Sequence, residues 1–137
     1  MSTPSPTPRM VEVSGAEALW LLEGAAMGLL VYQQRETTVV RPARHVWEYG
    51  RLIARTPVQP AAVPPTATYH VEEIQAATGT GWTVTATGPA EAITDPHEAT
   101  HYLRTLAGWT YGPHDTVVRI HPQTVTGFRL IRGAEGR

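Results

Sequence analysis

Cysteine and lysine are both missing from this chain of 137 residues. The absence of cysteine excludes disulfide bonds and a thiol nucleophile. The absence of lysine means that all eleven basic residues are arginine. Schiff-base chemistry on a lysine of this chain is therefore excluded, and an anion would have to be bound by arginine, histidine or backbone N–H groups.

A strong net charge and long apolar runs are missing as well. The formal net charge is −1, which gives no electrostatic reason to expect nucleic acid or an anionic membrane as a partner. No apolar run approaches the roughly 20 residues of a membrane span. The amino-terminal MSTPSPTPR lacks the apolar centre of a signal peptide. We therefore expect a soluble cytoplasmic protein without nucleic-acid or membrane partners.

The length predicts a single folded domain. A chain of 137 residues can bury one hydrophobic core without disulfides or metals. Residues 1–10, rich in proline, serine and threonine, are predicted to be a disordered amino-terminal tail. Residues 11–131 hold the predicted elements, and residues 132–137 are predicted to be a carboxy-terminal tail.

Two helices and about seven strands are predicted from the hydrophobic pattern. A capping box at Ser14–Glu17 opens the first helix, which ends at Gly24, and Asp95-Pro96 opens the second. Strands are predicted at 27–34, 38–47, 51–56, 66–74, 82–93, 116–122 and 124–131. The fifth of these is expected to bend at Gly88-Pro89. Without β-α-β alternation, antiparallel pairing is the simplest topology, and a closed or partly closed barrel hides its edges. The predicted fold is mainly β, an antiparallel barrel with two peripheral helices.

The segment HEATH, residues 97–101, matches the zinc-binding pattern H-E-x-x-H. On a helix, His97 and His101 would share one face, and Glu98 would supply a base. The segment falls in the first helical turn, however, where it is expected to face solvent, and no third ligand has an obvious position. A polar helix face without a metal is the preferred interpretation.

Two other motifs give little support to phosphate-loop or hydrolase chemistry. TGTGW, residues 78–82, is similar to a phosphate-binding glycine loop, but such loops precede a helix and here a strand is predicted to follow. A turn is the better interpretation. His114 and Asp115 could be a base and its orienting carboxylate, although a turn-forming pair is commoner.

Arginines interrupt the most strand-like part of the sequence. Arg41 precedes Pro42 inside an apolar run, and Arg55 ends the next run. Such side chains could simply point outward on half-exposed strands. Proline removes a hydrogen-bond donor, however, and belongs on an edge strand or at a bulge. Because guanidinium groups match phosphate oxygens, an anion site near this edge is the second interpretation.

Four segments in order carry a family resemblance. They are EALWLLEGAAMGLLVY, VVRPARHVWEYGRLIART, GTGWTVTATGPAEAITDP and GPHDTVVRIHPQTVTGFRL. In this order they resemble four parts of the pyridoxamine 5′-phosphate oxidase-like, FMN-binding split-barrel family, in its short actinobacterial form. The first two parts are the helix-strand opening and the R-P-V-N hairpin with its R-T end. The last two are the Gly-Trp-Ser-Val strand with the next helix, and the closing hairpin. The resemblance covers residues 11–131 and implies a split-barrel homodimer with a flavin in each of two interface clefts.

The resemblance also implies a cofactor site. Six residues of the hairpin would contact the flavin: Arg41, Pro42, Arg44 and His45 at its ring, and Arg55 and Thr56 at its phosphate. Trp82 would begin the strand under the flavin, and Trp109 would line the pocket from the same or the partner subunit. FMN is the implied cofactor, and the sequence does not separate it from a deazaflavin or haem. No catalytic side chain is assigned, because the flavin would supply the redox chemistry.

The sequence departs from the family after Arg55-Thr56. The family usually continues into a G-x-K segment whose lysine helps to hold the phosphate, whereas this chain has PVQPAAVPP, and Arg44 replaces the usual asparagine. Losing one charged phosphate contact costs about 1.5–3 kcal/mol. Two functions therefore stay open. One is an FMN-dependent oxidoreductase acting on a small molecule; the other is a homologue that has lost FMN and binds another small ligand as a sensor or non-redox biosynthetic protein.

Strand alternation adds one expectation about the arginines. It places Arg41 and Arg44 on opposite faces unless Pro42 causes a bulge. Arg44 is then the one expected to point into the cleft, with Arg41 reaching solvent or the partner subunit.

Overall fold

The computed structural model describes residues 7–108 and 115–132. The elements, in chain order, are β1 (Pro8–Val13), α1 (Gly15–Gly24), β2 (Met27–Gln34), β3 (Thr37–Glu48), β4 (Arg51–Pro57), β5 (Thr66–Ile74), β6 (Gly81–Ala92), α2 (Pro96–Thr105), β7 (Asp115–Ile120) and β8 (Thr124–Arg132). The proline-rich connection between β4 and β5 holds one 3-10 turn, Pro60–Ala62. The seven predicted strands are all present.

β1 is the strand that the sequence pattern did not predict. It pairs antiparallel with β8, from Pro8 opposite Arg132 to Val13 opposite Gly127, and it begins inside the stretch 1–10 that was assigned to a tail. Most of its side chains are exposed. The segment therefore lacks the alternation of buried and exposed residues by which strands are recognised.

Six strands close into an antiparallel barrel. Their order is β6-β5-β2-β3-β4-β7, and β7 returns to pair with β6. β6 is shared between two partners, because its residues 81–87 pair with β8 and its residues 90–92 pair with β7. β8 and then β1 extend the sheet beyond the barrel. The predicted antiparallel split barrel is therefore confirmed.

β6 changes partner at Gly88. The N–H of Gln123 donates to the carbonyl of Thr87, and the N–H of His121 donates to the carbonyl of Pro89, so the turn between β7 and β8 lies against this position. A Cβ on Gly88 would be 2.0 Å from the backbone oxygen of His121. Only a residue without a side chain fits here. Gly88-Pro89, where a bend was expected, is the point where β6 passes from β8 to β7.

The barrel interior is filled by side chains from alternate positions of the strands. Tyr69 on β5 lies opposite Leu30 on β2 and Ala86 on β6, and all three are fully buried. α1 packs on the same core through Ala18 and Leu22. Burying a large apolar side chain stabilises the fold by about 1.5–3 kcal/mol, so the contact with the core holds α1 against the barrel.

Both helices begin as predicted. The hydroxyl of Ser14 accepts the N–H of Glu17 at 3.1 Å, and the carboxylate of Asp95 accepts the N–H of Glu98 at 2.9 Å. α2 packs outside β4 and β7 through a second buried cluster, formed by Ile53, Ile93, Tyr102, Leu106 and Val117. No helix within residues 7–108 and 115–132 is long and apolar enough to cross a membrane.

Replacement of Gly88 by alanine tests the change of partner along β6. The added methyl would press on the main chain of His121, so we expect the free energy of unfolding to fall by about 1–3 kcal/mol. Gly24→Ala is the matched control, since a Cβ there meets no heavy atom within 4 Å, and its effect should stay below about 1 kcal/mol. Chemical denaturation followed by circular dichroism measures both. Equal losses would show that the crossover tolerates a side chain.

Candidate functional site

The free edge of β3 is the first component of the site. β3 pairs with β2 from Thr37 to Arg44, but with β4 only from Arg44 onward. Among the described residues, the segment 37–43 therefore has a strand neighbour on one side only. Pro42 lies in this segment, as expected for a proline in a strand. An open strand edge presents backbone N–H and C=O groups that a ligand can use.

Arg41 lines a pocket beside this edge. The pocket has a volume of about 300 Å³ and is lined by Tyr32, Gln34, Arg41, Pro57, Val58, Gln59 and Ala62. The Arg41 guanidinium donates to the carbonyl of Val40 at 3.1 Å. It forms no ion pair with any carboxylate in the described part of the chain. Because no acidic residue lines the pocket, its charge is positive and suits a small anion.

Arg44 and Arg55 face the carboxy-terminal end of α2. They lie opposite each other in the β3–β4 register, so their side chains are on the same face of the sheet. Arg44 donates to the carbonyl of Ala107, and Arg55 donates to the carbonyls of Leu103 at 3.0 Å and Leu106 at 3.2 Å. The last carbonyls of a helix lack helical partners and carry partial negative charge. Arg55 binds one of these carbonyls, that of Leu103, and the two arginines also bind the carbonyls of Leu106 and Ala107 just after the helix.

Arg55 also forms an ion pair with Asp115, the first residue of β7. Its Nε lies 3.0 Å from both carboxylate oxygens, and one Nη lies 2.5 Å from Oδ2. Arg55 is only 8% exposed. From the sequence, Arg55 was expected to contact a flavin phosphate. In the structure its guanidinium is paired with a carboxylate, and a guanidinium in such a pair offers little attraction to another anion. Thr56, the other expected phosphate contact, is fully buried, and its hydroxyl donates to the carbonyl of Pro42 at 3.0 Å.

His45 is buried inside the barrel. Its Nδ1 lies 2.7 Å from the Tyr69 hydroxyl, and its Nε2 lies 3.0 Å from the carbonyl of Leu22. A carbonyl can only accept, so Nε2–H donates to Leu22 and, in the neutral ring, Nδ1 accepts from Tyr69. The ring therefore connects β3, β5 and α1. This differs from the expected place beside a flavin ring, because both ring nitrogens have partners within the protein.

The faces of β3 follow strict alternation. The register with β2 runs without a break from Thr37 to Arg44, so Pro42 causes no bulge. Arg41 and Arg44 are therefore on opposite faces, as predicted. Of the two, Arg41 is the exposed one beside an open pocket, whereas the Arg44 guanidinium is held by Ala107. The exposure of Arg41 agrees with the expectation that it reaches solvent, and a contact of Arg44 with a flavin stays a prediction.

Trp82, which was expected at the flavin, does not line the pocket that contains Arg41. Trp82 lines a different pocket, formed with α1 residues. Trp82 on β6 lies opposite Glu73 on β5. The residue of β6 that lies in line with Arg41 across β2 and β5 is instead Ala86, four residues further along the strand. Trp109 lies outside the described residues.

The HEATH segment forms part of α2, and its histidine and glutamate side chains are exposed or ion-paired. His97 and His101 are exposed, and the carboxylate of Glu98 is paired with Arg119. No group of three histidine, aspartate or glutamate side chains that could hold a metal is found in residues 7–108 and 115–132. His114, the other half of the His114-Asp115 pair, lies outside these residues.

An exposed apolar face on β2 and β3 was not predicted. Met27, Leu29 and Val40 are 51%, 38% and 46% exposed. Met27 and Leu29 border a shallow pocket with Pro42 and His70. The sequence held a signal for this face, because the run MGLLVY places apolar residues on both sides of one strand. Such a run is typical of a strand that is covered on both faces.

The family model described as pyridoxamine 5′-phosphate oxidase matches residues 14–129. The chain belongs to this family. The match begins at the cap of α1 and extends into β8, so it includes every strand of the barrel and leaves out β1. All of the barrel residues discussed above therefore lie within the part of the chain that defines the pyridoxamine 5′-phosphate oxidase family.

Individual proteins agree with this assignment. An uncharacterised protein from Mycobacterium tuberculosis is 32% identical over 139 residues, which cover 95% of this chain and 91% of the relative. The solved structure of an FAD-binding protein from Mycobacterium smegmatis is 23% identical with a TM-score of 0.64, and the match covers 88% of this chain and 97% of that one. An FAD-binding protein from Mesorhizobium loti is 18% identical with a TM-score of 0.70, covering 90% and 98%. At these identities the two structures show a shared fold.

Removal of the buried counter-charge tests the role of Arg55. Asp115→Asn should lower the free energy of unfolding by about 3 kcal/mol or more, because it leaves a buried guanidinium without its carboxylate. Glu91→Gln is the control, since the Glu91 carboxylate that pairs with Arg119 is 56% exposed and should contribute less than about 1 kcal/mol. Chemical denaturation of both variants measures the difference. Losses below about 1 kcal/mol for both would contradict a structural role for the Arg55–Asp115 pair.

The environment of His45 predicts that stability declines in acid. Burial lowers the pKa of His45 from its ordinary 6.5, partly opposed by the hydrogen bond to Leu22. As the pH falls below 6.5, the unfolded chain therefore takes up this proton before the folded chain does. Stability that is fully present above this pH is lost below it, by at most about 1.4 kcal/mol per pH unit from this one group.

Unfolding at about pH 7.5 and about pH 5.5 measures this dependence. The difference in stability between the two conditions should shrink in His45→Gln and stay unchanged in His97→Gln, whose parent side chain is exposed. An unchanged difference in His45→Gln would assign the acid sensitivity to other groups.

Proposed function

We propose that this protein binds FMN in a cleft at the free edge of β3 and acts as an FMN-dependent oxidoreductase on a small molecule. Family membership and the likeness to two FAD-binding proteins support a flavin as the ligand. The observation that carries the proposal is Arg41. It is an exposed cation without a carboxylate partner among the described residues, in a pocket beside an unpaired strand edge.

The residues of this pocket fit a flavin phosphate. A phosphate requires cationic or N–H donors, and the Arg41 guanidinium and the side-chain amides of Gln34 and Gln59 supply them in the pocket lining. Arg41 therefore takes the phosphate role that the sequence suggested for Arg55, whose guanidinium is engaged by Asp115. The proline-rich segment after β4 replaces the lysine-containing segment of the family and forms part of the pocket wall.

The ring system fits the neighbouring edge of β3. A flavin ring is planar, largely apolar and edged by polar atoms, so it suits exposed Pro42 at the edge of β3, where residues 37–43 have a strand partner on one side only. The bound flavin would supply the redox chemistry, while the chain orients it and sets its electrostatic surroundings. This division of roles requires no nucleophile, which agrees with a chain that has neither cysteine nor lysine.

We also propose that a second copy of the chain completes the cleft. The exposed Met27 and Leu29 lie on β2, and the exposed Val40 lies on β3, the strand that presents the free edge. Apolar surface of this kind is covered in oligomers, and a two-fold axis would generate two equal clefts.

Comparison of FMN with riboflavin tests the proposal, because the two differ only in the phosphate. The wild-type protein should bind FMN more tightly than riboflavin. Arg41→Ala should weaken FMN by about 1.5–3 kcal/mol, roughly tenfold to hundredfold, and leave riboflavin nearly unchanged. Quenching of flavin fluorescence on titration with protein gives both affinities.

Arg104→Ala is the matched control, since it removes an exposed arginine of α2 and should change neither affinity. Equal losses of FMN and riboflavin in Arg41→Ala would remove the phosphate assignment. Failure of the folded wild-type protein to bind either flavin would favour the second function, a homologue that binds another small ligand. The burial of His45 and Arg55 away from the proposed flavin site is the observation that supports this alternative.

A further inference from the structure

We propose a second ligand site, for an organic cation with an apolar body, in a groove between α1 and the β5–β6 hairpin. The groove has a volume of about 490 Å³ and is lined by Trp20, Leu21, Glu23, Gly24, Glu73 and Trp82. This volume lies within the range of about 300–1,000 Å³ that is usual for small-molecule sites. We call these six residues the tryptophan groove.

Two indole rings supply the apolar surface of the tryptophan groove. Trp20 on α1 is 67% exposed, although an indole of this size is normally buried in large part. Trp82 at the start of β6 is partly buried against the barrel core, so its ring is anchored. The groove thus combines one anchored ring with one exposed ring, and both are open to a ligand.

Two carboxylates give the tryptophan groove a negative charge. Glu23 and Glu73 are both exposed, and neither is ion-paired within the described part of the chain. No arginine or histidine lines the groove. The cation nearest in the sheet register is Arg129, opposite Trp82, and it is neutralised by Glu17 at 2.7 Å.

This combination selects the charge of the ligand. The face of an indole ring attracts a cation, and the two carboxylates add Coulomb attraction for it. A neutral ligand of the same shape would gain only the apolar contact, and an anion would be repelled by both carboxylates. An organic ammonium ion therefore fits the groove, whereas FMN does not. The site is distinct from the proposed flavin site, whose lining contains Arg41 and no acidic residue.

Titration with phenethylammonium and with the neutral 2-phenylethanol tests this inference. The two probes have the same aromatic body and differ in charge. We expect the purified protein to bind the ammonium about fivefold or more tightly than the alcohol, since the alcohol lacks the cation–π and Coulomb contributions. Chemical-shift changes of the indole N–H signals report binding, and the signals of Trp20 and Trp82 should move in preference to that of Trp47.

Matched variants distinguish binding of the ammonium in the tryptophan groove from its non-specific attraction to negative charge elsewhere on the surface. Glu23→Gln and Glu73→Gln should each weaken phenethylammonium about two- to fivefold without changing the affinity for 2-phenylethanol. Glu36→Gln, which removes an exposed carboxylate of the β2–β3 turn, should leave both affinities unchanged. Trp20→Ala should weaken both probes, and circular dichroism checks that each variant is folded.

Three results would overturn the inference: no binding of phenethylammonium, equal affinities for the two probes, or the same loss in Glu36→Gln as in Glu23→Gln and Glu73→Gln. None of these results depends on whether the protein binds FMN. The outcome can therefore be distinguished from failure of the proposed flavin site.

Discussion

One buried guanidinium, that of Arg55, connects three elements of this barrel. It belongs to β4, it binds the carbonyl of Leu103 in the last turn of α2 and that of Leu106 just after the helix, and it is paired with Asp115 at the start of β7. A buried charge is tolerated only when its partners are in place. The end of α2 and the start of β7 therefore have defined positions relative to β4, and β7 is the strand that closes the barrel onto β6.

The contrast between Arg41 and Arg55 shows how much of the site could be predicted. Both arginines occupy strand-like runs beside a proline or a Thr-Pro pair, so their local sequences give similar signals. Their environments differ because Asp115, 60 residues away from Arg55, neutralises one of them and not the other. Sequence patterning indicated that an anion site lies on this hairpin. The choice of arginine depends on long-range packing, which local patterns do not contain.

The fold itself was predictable where the signals are local. The caps at Ser14 and Asp95 and the apolar or alternating runs of β2 to β8 each depend on neighbours within a few residues, and these elements were predicted. β1 was missed because its exposed side chains carry no alternation. The hydrogen bonds of His45 could not be predicted from the sequence for a different reason. A histidine in a polar segment gives no sign that a tyrosine hydroxyl and the end of a helix will meet it inside the barrel.

The division of β6 between β7 and β8 has a consequence for how the chain folds. Both partners come after all the other strands in the described part of the sequence, so the barrel cannot close until residues 115–132 are available to pair with β6. Such distant pairings pay the entropy of long loops before they gain contacts, which makes folding slow. Until then Arg55 has no Asp115 and α2 has no neighbouring β7. The amino-terminal hairpins should therefore form no stable intermediate, and the barrel should fold as one cooperative unit.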